Sequence, residues 1–351
     1  MNSEKQNKAV STPGISGPLS GIKVLDLSSV VFATFATQIL GDLGADVVKV
    51  ESPSSADGQR KGGDIMRWGG QQPSQSDGSW GPLFLAFNRN KRSIAFDLRN
   101  KDDHSQFHRL LAHADVFISN VRMNSLAKLG LDYASLAPRY PRLIYAHASG
   151  YGQQGPYADQ PAYDDLIQAL SGTTDLLKRS SLAEAPQYLP ALLADKTSGL
   201  YLSNSILAAL LQRERDGTAQ FVEVPMLECF THFTMSENLY GHSYVPATES
   251  YGYDRVLNAF RKPYACKTGY LAVVPYSDEQ WRRFFELAGR LHEFDERFQR
   301  YQQRVQHITV LYEMMTEIML ERDAEQWLAQ LRALDIPVMP VNALHQVIDD
   351  E

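Results

Sequence analysis

The sequence predicts an α/β fold with a large, doubly wound, Rossmann-like parallel-sheet domain and a second, smaller α/β domain. The first observation is a strand, a helix and a strand within about 30 residues from residue 22, the order of a βαβ unit with parallel strands. The second is that this alternation continues to about residue 225. The third is a change after residue 253, where a predicted hairpin is followed by three helices.

Short apolar runs separated by turn residues define the elements of the first domain. Residues 22–27 form an apolar run typical of a strand. Residues 36–43 have apolar positions at helical spacing, and Gly44 ends that helix. Pro53 closes the next strand, 47–51. The same criteria predict strands at 93–98, 115–119, 143–149 and 221–224, and helices at 101–113 and 198–215.

The second domain is predicted from a hairpin over residues 264–274 that turns at Lys267-Thr268-Gly269. Predicted helices of this domain cover 227–240, 279–288, 307–320 and 324–334. We therefore divide the chain into a flexible polar leader (1–20), a large domain (21–225), a small domain (226–336) and a final segment (337–351).

Composition excludes several classes of protein. The 351 residues include 34 basic and 41 acidic side chains, a net charge of -7, and this acidic balance argues against a nucleic-acid partner. The absence of an apolar run of about 18 residues argues against a membrane span or membrane partner. The two distant cysteines, Cys229 and Cys266, exclude a disulfide framework and fit a reducing cytoplasm.

Several common motifs are absent. A dinucleotide site needs a glycine-rich turn after the first strand, but residues 28–34 contain no glycine, so a nicotinamide enzyme is disfavoured. His104 and His108 lie one helical turn apart without the glutamate or third ligand of a zinc site, so no metal is predicted. No Gly-x-Ser-x-Gly sequence is present, which argues against an α/β-hydrolase.

Two polar segments are candidates for binding an anion. Arg89, Lys91 and Arg92 are predicted to share one loop that leads into a strand, either as a solvated loop or as a seat for phosphates. Asn120 leaves another strand, and Lys128 follows within about two helical turns. In open parallel sheets, ligands bind beyond the carboxyl ends of the strands, which favours this second segment.

Two acidic positions precede predicted helices. Asp164 and Asp165 follow Tyr163 at a loop-to-helix boundary, and Asp195 immediately precedes the long helix in "LLADKTSG". Both are ordinary helix-capping signals. A carboxylate on such a turn can also be a nucleophile, and the residues alone leave both interpretations of Asp195 open.

Many segments, in order, resemble one family, the class III CoA-transferases, which includes formyl-CoA:oxalate and crotonobetainyl-CoA:carnitine transferases and is related to the α-methylacyl-CoA racemases. The resemblance extends over nearly the whole chain from residue 18. The matching segments include "GIKVLDLSS", "FATQILGDLGADVVKVE", "GGDIMRWG", "FNRNKRSIAFDL", "ADVFISN", "PAYDDLIQALSG", "LLADKTSG" and "VEVPMLE".

The resemblance implies a reaction and a set of residues. Asp195 matches the family's catalytic aspartate, which carries the acyl group as a mixed anhydride and then CoA as a thioester, and Tyr163 and Asp164 match a pair that lines the active site. Residues that match the CoA-binding surface are Val30, Val31, Ser52, Arg67, Asn88, Lys91, Arg92, Asn120, Val121 and Lys128. CoA enters as part of the acyl-CoA substrate, the other substrate is a small carboxylic acid, and no metal is implied.

The resemblance also implies an interlocked homodimer, and that residues 337–351 begin a segment that returns to the first domain and is cut short here. Two alternatives stay open, a racemase or epimerase and a CoA-binding relative without turnover. Racemases carry a histidine at the Tyr163 position. Because this chain has a tyrosine there, the resemblance favours a transferase over a racemase. Relatives usually have Ala-Gly-Pro where this chain has Phe32-Ala33-Thr34, and this difference supports the protein without turnover.

Overall fold

The computed structural model describes residues 17–59, 61–70, 80–180, 184–248 and 251–348. Most of the predicted leader, 1–20, and the last residues of the final segment, 337–351, therefore lie outside the described residues. The chain divides into two compact units. The first runs to Thr173 and resumes over Tyr188–Met235, and the second comprises Thr174–Gln187 and the chain from Ser236.

The chain alternates strands with helices through the first unit. The strands are β1 Lys23–Leu27, β2 Asp46–Glu51, β3 Lys91–Ala95, β4 Val116–Ser119, β5 Ile144–Ser149, β6 Phe221–Pro225, β7 Tyr264–Ala265, β8 Tyr270–Val273 and β9 Val338–Pro340. The α-helices are α1 Phe32–Asp42, α2 Pro82–Phe87, α3 Lys101–Leu111, α4 Met123–Lys128, α5 Tyr133–Leu136, α6 Asp164–Leu170, α7 Thr173–Ser180, α8 Leu193–Asp216, α9 Met226–Asn238, α10 Asp278–Leu287, α11 Tyr301–Gln306, α12 Ile308–Met319 and α13 Ala324–Ala333.

The six strands of the first unit form one parallel sheet in the order β3-β2-β1-β4-β5-β6. This is the order of a doubly wound Rossmann-like sheet, so the predicted α/β class is confirmed. The strand order reverses between β1 and β4, which pair in parallel from Val24 with Val116 to Leu27 with Ser119. The crevice at that reversal is where such sheets bind ligands.

Strand alternation builds a hydrophobic core on each face of this sheet. Val24 belongs to the core that α1, α8 and α9 cover, and the next residue, Leu25, belongs to the core that α3 and α4 cover. Successive strand residues point to opposite faces, so an apolar run buried on both sides supplies both cores. This explains why β4 and β5 are buried at every position.

The second unit has its own sheet and core. Strands β7, β8 and β9 pair antiparallel in that order, with α10, α12 and α13 around them. Ser277 begins α10 with a capping box that includes Gln280. No helix in the described part of the chain is long and apolar enough to cross a membrane.

The structure changes some predicted boundaries. The third strand is Lys91–Ala95 rather than 93–98, so the basic residues at its start belong to the strand and not to a loop. Helix α8 begins at Leu193 rather than at 198, which places Asp195 inside its first turn. Gly217 ends α8 as predicted, in the left-handed conformation with a φ of 77°.

Candidate active site

A cavity of about 570 Å³ lies in the first unit at the carboxyl ends of β1, β4 and β5. Six of the predicted site residues line it together, namely Val30, Val31, Asn120, Tyr163, Asp164 and Asp195. Most of them come from segments far apart in the sequence. The fold assembles them because parallel strands end at one edge of the sheet, where α8 also begins.

Asp195 lies between the N-termini of two helices. It is in the first turn of α8, and its carboxylate accepts a hydrogen bond from the backbone N–H of Phe32, the first residue of α1. The side chain does not cap α8, because the N-cap position is Leu192 and no side chain bonds there. The capping interpretation of Asp195 is therefore wrong.

The environment of Asp195 makes its carboxyl group unusually basic. Burial raises the pKa of Asp195 to about 7, the nearby Asp164 carboxylate adds to the rise, and the Phe32 N–H opposes it. The residue is only 8% exposed. A helix N-terminus favours the charged form of a carboxyl group, but at Asp195 the loss of water outweighs that effect.

Asp164 is the neighbour that positions this turn. One of its carboxylate oxygens accepts the Asp195 backbone N–H at 3.0 Å, and the other accepts the side-chain N–H of Gln168 at 2.6 Å. Asp164 therefore satisfies a free N–H at the start of α8, not of its own helix α6. Tyr163 is 68% exposed and lines the same cavity.

The loop between β1 and α1, residues 28–31, forms one wall of the cavity and is strained. Val30 has a φ of 69°, a left-handed conformation that a β-branched residue rarely adopts. Its N–H donates to the carboxylate of buried Asp64 at 3.1 Å. Lys49 pairs with Asp64 at 3.1 Å and donates to the Ser28 carbonyl at 2.8 Å. A buried ion pair thus fixes this loop from beneath.

Lys91 belongs to the same buried network. Its ammonium group, on a side chain 1% exposed, donates to the Thr34 carbonyl at 2.8 Å, to Asn88 Oδ1 at 3.1 Å and to Asp26 at 3.3 Å. Burial lowers the pKa of Lys91 to about 8, against the attraction of Asp26. Lys91 therefore supports the first turn of α1, with Asn88 as one of its partners, and the Lys91 ammonium group is not open to a ligand.

Asn120 fixes the β1–α1 loop from the side. Its amide Oδ1 accepts the Ser29 N–H at 3.1 Å, and its Nδ2 donates to the Ser29 carbonyl at 2.8 Å. These two bonds join the ends of β4 and β1 across the point where strand order reverses. The predicted binding residue Asn120 thus positions the wall of the cavity that it lines.

The three cations predicted to bind phosphates, Arg89, Lys91 and Arg92, do not form one surface. Lys91 and Arg92 are consecutive residues of β3, so their side chains point to opposite faces of the sheet. Arg92 is exposed and pairs with Asp46 at 2.6 Å, while Arg89 pairs with Asp42 at 2.5 Å. The placement of these cations on one loop is therefore wrong.

Arg67 is occupied by another carboxylate. Its guanidinium makes a bidentate ion pair with Glu51, with a closest contact of 2.6 Å, and lies 3.8 Å from the centre of the Phe84 ring. The pair tethers the 62–69 segment to the end of β2. We find Arg67 outside the lining of the Asp195 cavity.

A second cavity of about 480 Å³ lies beside the ends of β1 and β2. Its walls are apolar, with Leu27, Val50 and Leu98, and its edge carries the predicted residues Ser52 and Lys128. Lys128 is exposed at the end of α4. Val121, also predicted, lies between the two strand-end regions, and its carbonyl is hydrogen-bonded to His147 at 3.1 Å.

Sequence analysis missed the buried supports of the site. Lys49, Asp26 and Asp64 were not proposed, although a lysine and an aspartate inside apolar strands are unusual enough to mark a buried polar network. Arg122, an exposed residue two positions after Asn120, also lines the Asp195 cavity and is not among the predicted site residues. Across the described residues, no group of three or more His, Cys, Asp or Glu could hold a metal ion.

The family model for CoA-transferase family III matches residues 19–351. The chain belongs to this family. As a family III CoA-transferase, it is an enzyme that acts on acyl-CoA and carboxylic acids. The resemblance drawn from the sequence is confirmed.

Characterised relatives and solved structures agree with this family. The chain is 30% identical to (R)-2-hydroxy-4-methylpentanoate CoA-transferase of Clostridioides difficile, over 95% of this chain and 82% of the relative. It is 32% identical to succinate--glutarate CoA-transferase of Agrobacterium fabrum, over 96% and 83%. A CAIB/BAIF family protein from Brucella suis superimposes with a TM-score of 0.77 at 31% identity, covering 95% of this chain and 86% of that one.

Proposed function

We propose that this family III enzyme moves CoA from an acyl-CoA donor to a carboxylic acid acceptor through covalent intermediates on Asp195. The Asp195 carboxylate attacks the donor's thioester carbonyl, and CoA leaves as a thiolate, which gives a mixed anhydride. The thiolate then attacks the aspartyl carbonyl and releases the donor acid, leaving an aspartyl-CoA thioester. The acceptor carboxylate and the thiolate repeat these steps in reverse, which restores Asp195.

The observation that carries this proposal is the environment of Asp195. Its carboxyl group lines a cavity at the end of the sheet and has a pKa raised to about 7. A carboxylate of higher pKa is a better nucleophile, yet a large fraction remains ionised at neutral pH. Tyr163, at the position where racemases carry a histidine base, has no basic nitrogen, so transfer is favoured over racemisation.

We place CoA along the carboxyl edge of the sheet. The apolar cavity of Leu27, Val50 and Leu98 suits a flat base, and Lys128 at its edge suits phosphates. The pantetheine arm would then pass Val121 toward Val30 and Asp195, with Arg122 as a further cation. Lys128 and Arg122 are both exposed, and neither forms an ion pair within the described chain.

The decisive experiment combines Asp195→Asn with chemical trapping. We expect the variant to fold and bind CoA but to lose transfer, because the amide keeps the shape and removes the nucleophile. Hydroxylamine added to the wild-type enzyme with acyl-CoA should inactivate it and leave a hydroxamate at Asp195, read by peptide mass spectrometry. An active Asp195→Asn enzyme, or a hydroxamate on another residue, would overturn the mechanism.

Lys128→Gln tests the proposed position of CoA. We expect about tenfold weaker CoA binding and a smaller salt dependence, since one charge-assisted contact to phosphate is lost. Arg92→Gln is the matched control, because Arg92 is also exposed to solvent but is paired with Asp46. Calorimetry that finds both variants equal to the wild type would remove Lys128 from the site.

A further inference from the structure

The second unit contains a cavity of about 280 Å³ between the β7–β8 hairpin and helices α10 and α12. Three cations, Arg255, Arg261 and Lys262, line it, and its lining contains no carboxylate. This is unusual in a chain whose net charge is -7. Several cations at a concave surface, with no carboxylate among them, attract an anion.

These three charges are not neutralised by the protein. The hydrogen bonds of Arg255 go to the neutral hydroxyl groups of Tyr312, at 3.3 Å, and Tyr253. No carboxylate in the described ranges forms an ion pair with Arg255, Arg261 or Lys262. A half-buried guanidinium that lacks a counter-ion gains most from a bound carboxylate, which it can engage with two parallel bonds.

By contrast, other arginines of the same unit are paired. Arg282 contacts Glu279 at 2.8 Å, Arg290 contacts Glu293 at 2.6 Å, and Arg297 contacts Asp295 at 2.7 Å. Other cations of this unit, such as Arg300 and Arg332, also form no ion pair among the described residues. The cavity differs from the rest of the surface because three such cations line one concave site.

Buried aromatic side chains also line the cavity. Trp281 is 4% exposed and Tyr264 is 3% exposed, and both line the cavity. These rings give the cavity an apolar wall beside its three cations.

We propose that this cavity binds a small aryl carboxylate, with its ring against Trp281 and Tyr312 and its carboxylate held by Arg255, Arg261 and Lys262. The Trp281 and Tyr312 rings have centres 6.5 Å apart and form an apolar wall for a flat group. The volume suits a ligand of this size better than a nucleotide. The inference rests on this unit alone and does not depend on the chemistry proposed for Asp195.

Titration calorimetry with benzoate tests the proposal, with uncharged benzamide as the isosteric control. We expect benzoate to bind the wild-type protein and benzamide to bind at least about tenfold more weakly, because the charge-assisted bonds are lost. Benzoate that fails to bind, or benzamide that binds equally well, would overturn it.

The double variant Arg261→Gln/Lys262→Gln locates the binding. It should weaken benzoate binding by about tenfold, whereas Arg282→Gln/Arg297→Gln, which removes the same charge outside the cavity, should leave it unchanged. Circular dichroism checks that both variants fold, and Arg255→Gln replaces the double variant if it does not. Benzoate binding that is equal in the wild type and the cavity variants would place the anion elsewhere and refute this inference, while leaving the hydroxamate test of Asp195 unaffected.

Discussion

Asp195 illustrates how the surroundings of one residue set its chemistry. Its pKa is raised to about 7 by burial first and by Asp164 second. We therefore expect kcat/KM for transfer to rise with pH through about 7, as the attacking carboxylate loses its proton. If kcat/KM does not change between about pH 5 and pH 8, the assignment of Asp195 as the nucleophile is wrong.

Asp164→Asn should shift that profile. Removing the neighbouring charge lowers the pKa of Asp195, so the rise in kcat/KM should move to lower pH. Burial, the larger cause, is unchanged, so the shift should be partial. Asp165→Asn is the matched control, since Asp165 is exposed and adjacent in sequence, and it should leave the midpoint where it is.

The raised pKa of Asp195 also has a consequence for stability. Because the folded protein binds this proton more tightly than the unfolded chain, whose value is near 3.8, stability falls as pH rises from about 4 to 7. Asp195→Asn should therefore raise the unfolding free energy more at pH 8 than at pH 4, by up to about 4 kcal/mol. Equal effects of Asp195→Asn at the two pH values, measured by thermal unfolding, would contradict the raised pKa.

At the scale of elements, the contact between α1 and α8 carries the site. A Cβ atom added at Gly199 would lie 2.9 Å from the Phe32 carbonyl oxygen and 3.0 Å from the Phe35 ring. Gly199→Ala should separate the helices and destabilise the fold by about 1–3 kcal/mol. It should also reduce transfer activity, because the Phe32 N–H bonds the Asp195 carboxylate.

Leu200→Ala provides the comparison for that substitution. Leu200 is the next residue of the same helix but is 49% exposed, so its truncation should change stability by less than about 1 kcal/mol. Urea unfolding measures both changes. Similar losses in the two variants would show that close approach at Gly199 is not what the site requires.

The buried support of the β1–α1 loop makes a second prediction at this scale. Lys49→Met leaves the Asp64 carboxylate buried without its partner and should cost about 3–5 kcal/mol. CoA binding should weaken as well, since Val30 loses the anchor of its strained conformation. Arg92→Gln removes only an exposed ion pair and should cost less than about 1 kcal/mol. Thermal unfolding that finds the two substitutions equally mild would refute the role given to Lys49.

At the scale of the whole molecule, we predict a homodimer. Fully or nearly exposed apolar side chains, including Val245, Leu344 and Ile348, provide surface that another chain could bury. Light scattering should give a molar mass near twice the 39.4 kDa of one chain. A mass of one chain at micromolar concentration would contradict this prediction.

The sequence by itself determined the fold class and the family. Apolar runs such as 22–27 and 143–149 have the length and composition of buried strands. Their alternation with helices implies a parallel sheet even before any contact between residues is known. The order of many matching segments, including the one around Asp195, identified the family. These properties depend on the order of residues along the chain and not on tertiary contacts, so the sequence is enough to predict them.

Only the tertiary structure decided what each polar side chain does. Lys91 and Arg92 are neighbours in sequence, yet strand alternation and burial assign one to an internal ion pair and the other to solvent. Asp164 and Asp195 resembled two separate caps, but the fold brings them together and raises the pKa of Asp195. Charge pairing and desolvation depend on distances between residues remote in sequence, and the chain fixes those distances only when it packs.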